Sequence, residues 1–184
     1  MKIFICIVVV VLVVLFLYVA ITYNSLVKLN NNVKEAFATM DVYLKKRWDL
    51  IPNLVESVKG YAAHEKDTIE NVVSLRNQSY DSLSNAGKIA ANTELSGALS
   101  RLLAVAENYP DLKSNANFMQ LNSELSRVEE DIANSRKYYN AVVKNYNNKV
   151  EMFPSSIVAG MFGHSQKEMF EAGSSERQNV KVEF

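Results

Sequence analysis

At 184 residues the chain is sized for a single domain. Its 20 basic and 20 acidic side chains cancel, and setting aside Lys2, the only charge before Lys28, leaves 19 against 20, a balance that argues against nucleic acid as a main partner. Six Gly and three Pro are too few for a turn-rich all-β domain, and the single cysteine, Cys6, excludes an internal disulfide.

The first element is apolar. "IFICIVVVVLVVLFLYVAI", residues 3–21, carries no charge. At ~1.5 Å per residue it would span about 28 Å, close to a hydrocarbon core of roughly 30 Å. The rival reading is a cleaved signal sequence, with an apolar run of about 7–15 residues and a small-x-small site. Here the run is longer, and a cut after Ala20 would put Tyr18 where a small residue belongs, so a retained signal-anchor is expected. Tyr18 and Tyr23 are placed for the membrane–water interface. Cys6 is expected to pack in this run, since "IFI" before it lacks the small residues that precede a lipid-modified cysteine. The charges flanking the run are nearly balanced, Lys2 against Lys28 and Lys34, with a slight lean to a cytoplasmic C-terminal side.

No Gly or Pro separates this run from the next. Leu26, Leu29, Val33, Phe37, Met40, Leu44, Trp48 and Ile51 recur at spacings of 3 and 4, one helical stripe. The anchor is therefore expected to continue as a stiff stem over about residues 3–48, roughly 70 Å long. "DLIPNL" reads as a helix-to-helix junction, because Pro52 lacks a backbone donor and biases Ile51 away from helical geometry. One kinked helix over 26–80 is the alternative. A second stripe runs from Leu54 to Leu83 with polar interruptions at Glu65 and Arg76. "DSLSNAGK", 81–88, has turn composition and a Gly suited to a helix C-cap. A third helix is expected from Asn92 or Thr93 as N-cap, stopping before "NYPDL". The longest stripe follows: Phe118, Leu121, Leu125, Val128, Ile132, Ser135, Tyr139, Val142, Tyr146 and Val150, a coiled-coil-like rhythm.

These patterns predict an all-α protein: an N-terminal transmembrane helix continuing into an antiparallel three- or four-helix bundle. The expected domains are an anchor over 1–22, a bundle over 23–152 with helices at about 24–50, 53–81, 93–108 and 114–151, and an irregular tail over 153–184. The tail contains a short helix, Ser155–Met161 with Ser155 as N-cap, and its apolar residues favour packing on the bundle over a membrane or partner contact.

The chemical motifs are thin. "HEKDT", 64–68, begins like the H-E-x-x-H zinc helix, but Thr68 stands where the second His is required, and the other His is distant His164. There is no G-x-S-x-G elbow, P-loop or G-x-G-x-x-G. No catalytic, cofactor-binding or metal-binding residue is expected, and the protein is not read as an enzyme. A hidden metal-dependent enzyme using His64, Glu65 and carboxylates of the fourth helix is the alternative. The candidate contact surface comprises the basic triplet Lys45, Lys46 and Arg47 with Phe162 and Phe170. The triplet could meet anionic lipid head groups, although a continuous stem would hold it well past a Debye length of about 8 Å from the bilayer.

The block "YNSLVKLNNNVKEAFATMDVYLKKRWDLIPNLVESVKGYAAHEKDTIENVVSLR", 23–76, closely resembles the LemA family of bacterial membrane proteins. "ENYPDLKSNANFMQLNSELSRVEEDIANSRKYYNAVVKNYN" and "FPSSIVAGMFG…FEAG…VKVEF" resemble it in the same order. Asn30–Asn32 is more polar than the family pattern, and "SERQNVKVEF" lacks a Pro expected before the final strand-like piece. The resemblance implies a single-pass anchor plus an antiparallel bundle, and supplies no activity, cofactor or substrate. The expected role is a scaffold or protein-interaction module in the bacterial cell membrane, with a protein partner or a second copy of itself. An anionic-lipid-binding or membrane-remodelling protein is the alternative.

Overall fold

The computed structural model describes residues 1–62, 64–77 and 80–170. All its regular elements are helical: α1 (Lys2–Lys59), α2 (Lys66–Arg76), a 3-10 turn (Tyr80–Ser82), α3 (Asn85–Ala106), α4 (Pro110–Lys113), α5 (Ala116–Glu151) and α6 (Ser155–Met161). The expected all-α class holds, and the described residues contain no strand. The last expected piece, "VKVEF", and the packing of residues 171–184 lie outside the described residues.

Two compact units emerge: Met1–Thr39 with Arg136–Phe170, and a second built on Met40–Ser135. α1 and α5 each contribute to both units.

In the first unit, α1 opens with a window long and apolar enough to cross a membrane, of mean hydropathy 3.5 and with none of it buried. Past this run α1 acquires a packed face: Leu26, Val33, Ala36 and Phe37 are buried. Phe37 meets Tyr139 of α5 ring to ring at 5.9 Å, and Leu26 clusters with Val158 and Ala159 of α6, with Val150 packed against them. Later residues of α5 thus meet earlier residues of α1, so the pair is antiparallel. The inward row of α5 shifts by one position here. Val143 is fully buried and Val142 only partly, because a 3-4 rhythm through Ser135 and Tyr139 can place its next step at either residue.

In the second unit, Met40, Leu44, Trp48, Ile51, Leu54, Val55 and Val58 form the buried row of α1. The helix break expected at Pro52 does not occur, since α1 runs through Pro52 to Lys59. Proline removes one backbone hydrogen bond and crowds the preceding turn. The buried residues on both sides of it, Trp48 and Ile51 before and Leu54, Val55 and Val58 after, stay inward only if the helix continues, and their burial outweighs that loss.

The expected helix over 53–81 is likewise divided. α1 ends at Lys59 before Gly60, and the Val58 carbonyl accepts from both Tyr61 N and Ala62 N. The polar interruptions of that stripe mark the new boundaries: Glu65 precedes α2 and Arg76 ends it. α3 starts earlier than expected. Ser84, not Asn92 or Thr93, is its N-cap, and its hydroxyl accepts from Gly87 N at 3.1 Å. The turn-like composition of 81–88 was thus a helix start, with Gly87 in the first turn. Pro110 occupies the first position of α4, where its missing donor costs nothing. Asn115 caps α5, its side-chain oxygen accepting from the backbone of Asn117 and Phe118 at 3.0 and 3.1 Å. α6 has the expected bounds, but Pro154 is its N-cap; the Ser155 hydroxyl instead donates to the Met152 carbonyl.

Candidate functional site

The basic triplet does not form a surface. Lys45 pairs with Asp49 one turn on, Lys46 is exposed, and Arg47 is fully buried. Arg47 is therefore corrected from a contact residue to a core residue of the second unit. Its Nε and Nη2 both donate to Asn92 Oδ1, at 3.2 and 2.7 Å, and Nη2 also donates to the Asn92 carbonyl at 2.6 Å. Its Nη1 donates to Ser96 Oγ and to Glu129 Oε1, each at 2.7 Å. A guanidinium has five N–H groups in a rigid fork. All five are used, and the acceptors come from α3 and α5, so one side chain of α1 clasps three helices.

A second polar node lies in the same unit. The Tyr80 hydroxyl donates to Asp41 Oδ1 at 2.6 Å, and Lys88 Nζ reaches Asp41 Oδ2 at 2.7 Å. The Trp48 ring stands 5.3 Å from that of Tyr80. Burial, then the Asp41 carboxylate, pushes Tyr80 ionisation well above the usual tyrosine range.

Glu65 of the His-Glu pair also serves the architecture. His64 is exposed, while Glu65 accepts from the Tyr109 hydroxyl at 3.1 Å and raises that tyrosine's ionisation point. Among the described residues no three His, Cys, Asp or Glu side chains are grouped to hold a metal ion.

On the surface of this unit, Ser96, Leu99, Ser100 and Leu103 of α3 face Asn122, Leu125, Ser126 and Glu129 of α5 across a trough of about 260 Å³. Its floor is apolar and its rims are hydroxyls, an amide and a carboxylate.

In the first unit the tail is held by two asparagines of α5. Asn140 Oδ1 accepts from Phe170 N at 2.7 Å and its Nδ2 donates to the Phe170 carbonyl at 2.8 Å. Asn147 makes the same two bonds to Lys167, both at 2.8 Å. Seven helical residues advance about 10.5 Å and three extended residues about 10 Å, so the two amide pairs match in pitch. Tyr139 adds a bond from its hydroxyl to the Glu168 carbonyl at 3.1 Å. Phe170, expected on a contact surface, is instead buried, with the Arg136 guanidinium 4.1 Å from its ring centre. Phe162 does remain at the surface, 49% exposed, with its ring 4.6 Å from that of Tyr23.

The expected contact residues therefore divide between the two units, and only Lys45, Lys46 and Phe162 stay accessible. Asn92, Ser96, Glu129, Asn140 and Asn147 escaped sequence reasoning. Their spacing shows shared helix faces, Asn92 and Ser96 one turn apart and Asn140 and Asn147 two turns apart, but not the partners, which lie in other elements.

Comparison with known proteins agrees with the family resemblance in the sequence. The LemA family pattern matches residues 36–184, which begin after the apolar run. The chain is 24% identical to Protein LemA of Metamycoplasma hominis, over 90% of this chain and 75% of that protein. It is 25% identical to Magnetosome protein MamQ 2 of Paramagnetospirillum magneticum, over 81% of this chain and 64% of the relative. For Magnetosome protein MamQ of Magnetospirillum gryphiswaldense the values are 24%, 80% and 64%. The chain thus spans less than two thirds of the length of these MamQ relatives. With a matched region that reaches into both folded units and an N-terminal helix fit to cross a membrane, this membrane-associated chain belongs to the LemA family.

Proposed function

We propose that the protein is a membrane-anchored helical-bundle scaffold, a protein-interaction module with no catalytic activity of its own. The Arg47 clasp carries this reading. The one buried cation of the basic triplet is saturated by its own fold, with each N–H spent on Asn92, Ser96 or Glu129. Asp41, Tyr80 and Lys88, and Glu65 with Tyr109, are likewise spent on one another. The α3–α5 trough is the docking surface, and its occupant is an amphipathic helix of a protein partner. Leu99, Leu103 and Leu125 offer the apolar seat, and Ser100, Asn122, Ser126 and Glu129 the polar rim. α1 is the single-pass anchor in the bacterial membrane, with the C-terminal units on the cytoplasmic side, in keeping with Lys28 and Lys34 against Lys2.

The test is photo-crosslinking in native membranes. Photoreactive residues at Ser100 and Ser126 should capture one protein that the same residue at Arg127, on the far side of α5, does not. Charging the seat with Leu103→Arg should abolish that capture. Equal recovery from all three positions, or none from any, would overturn the trough as a docking site; a captured second copy of the chain would replace the partner with self-association. A lipid-binding role for the triplet has little left to support it, since Arg47 is buried and Lys45 is paired.

A further inference from the structure

We infer that the tip of the α5–α6 hairpin is a second membrane-contacting element, which lies in the lipid beside the anchor. The sequence supplies the first reason. "MFPSSIVAGMFG", 152–163, is twelve residues without a charged side chain, bounded by Glu151 and His164. The fold supplies the second. Ser155, Val158 and Ala159 turn inward, while Met152, Phe153, Ile157, Met161 and Phe162 turn out. Phe153 is 80% exposed, Met161 68% and Ile157 57%. In water such a cluster would form a costly apolar patch; a globular protein shows one of this kind where a partner or membrane covers it.

The level at which the cluster sits selects the lipid as occupant. Phe153, Pro154, Ile157 and Met161 face Val14, Leu15, Tyr18 and Val19 of α1 across an apolar groove of about 440 Å³. Those four belong to the run over 3–21 that is fit to cross a membrane. Val14 lies seven residues before Ile21, so the contact reaches about 10 Å into the span. Interfacial helices bury their apolar faces roughly 5–10 Å into the boundary layer. If α1 crosses the bilayer, the tip has no aqueous place to be: its outer face is flush with side chains already in lipid. The groove then takes an acyl chain.

The surrounding residues mark where water begins. Tyr23 stacks near Phe162, and His164 lies 6.4 Å from the Tyr23 ring and accepts or donates a bond with the Tyr146 hydroxyl at 3.1 Å. This is an aromatic collar with polar ends, the composition of a membrane–water boundary. Lys28 and Lys167 are exposed beyond it and Lys149 half-exposed. The chain thus meets the bilayer through two elements, a spanning helix and a hairpin tip, which fix the tilt of α1 more firmly than one helix can.

This rests on α1 spanning the bilayer and not on the trough in the second unit. The test uses the full chain with Cys6→Ser, reconstituted in phosphatidylcholine–phosphatidylglycerol vesicles. Spin labels are placed singly at Val10, Phe153, Ile157, Met161 and Lys144. Collision with oxygen, which concentrates in lipid, is compared with collision with a water-soluble nickel chelate. Labels at Phe153, Ile157 and Met161 should show the oxygen preference of Val10, at least several-fold above that of Lys144. Nickel accessibility at the tip equal to Lys144, with Val10 in lipid, would overturn the inference and leave the anchor standing. Tip labels shielded from both reagents would overturn it too, since a protein surface would then cover the tip. If Val10 itself reports water, anchor and tip reading fall together.

Discussion

Arg47 offers the sharpest test of how the second unit is held. Replacing it by Met keeps the length and the apolar stem but removes five donors. The Ser96 hydroxyl still donates to the Asn92 carbonyl at 3.1 Å, and Glu129, whose side chain is 41% exposed, can return to water. One acceptor is orphaned, the fully buried Asn92 Oδ1, at a cost of about 1–3 kcal/mol. Removing a buried charge also lifts its desolvation penalty, which keeps the loss at the low end of that range. Arg47→Ala adds a cavity and should cost about 3–5 kcal/mol. Glu129→Gln should cost only about 1 kcal/mol, because solvent already screens that pair. Pairing Arg47→Met with Asn92→Leu removes the orphan and should return stability to within about 1 kcal/mol of the parent. Denaturant unfolding of the full chain in detergent micelles, followed by the fluorescence of buried Trp48, reads all four. If the double variant is no better than Arg47→Met, or if Glu129→Gln costs as much as Arg47→Ala, the clasp does not work through buried hydrogen bonding as argued.

Three further outcomes follow from the same geometry. Pro52→Ala should raise unfolding stability by about 1–3 kcal/mol, since α1 is already helical there and regains a backbone donor; a loss would show that the ring itself packs. Asn140→Ala removes both amide bonds to Phe170, about 2 kcal/mol, and should speed proteolysis near residue 170 roughly 30-fold in limited digestion; Asn147→Ala should do the same near Lys167, and no change would mean the tail is held by other contacts. For Tyr80 the folded state holds its proton to a higher pH than the unfolded state, whose tyrosine ionises near 10. The native chain therefore binds more protons above pH 10, and its stability should fall by up to about 1.4 kcal/mol per pH unit there. Tyr80→Phe should flatten that fall in unfolding curves measured from pH 9 to 11.

Much of the architecture was legible because apolar periodicity survives whatever partner a helix finds. The rows over 26–51 and 118–146 identified the buried faces of α1 and α5 almost residue for residue, and the uncharged run marked the stretch long and apolar enough to cross a membrane. Breaks were harder. Pro52 and Gly87 carry strong local signals, and each was overridden: Pro52 by the buried residues on either side, Gly87 by the cap at Ser84. Local propensity is a preference of about 1–3 kcal/mol, and a few buried side chains exceed it.

The polar sites show the other limit. Lys45, Lys46 and Arg47 look like a cluster in sequence, but successive helical residues point about 100° apart, so one face cannot present all three. Met40, Leu44, Arg47 and Ile51 are spaced 4, 3 and 4, which already places Arg47 on the inward row. A buried arginine needs a complete set of acceptors, and these lie 45, 49 and 82 positions away, in two other helices. Nothing in the local sequence announces that match; only the packed layer of α1, α3 and α5 creates it. The same holds for Asn140 and Asn147, whose function is defined by a tail 20 to 30 residues downstream. A charge run on a helix is therefore evidence about a surface only after the wheel position of each member has been set against its apolar row.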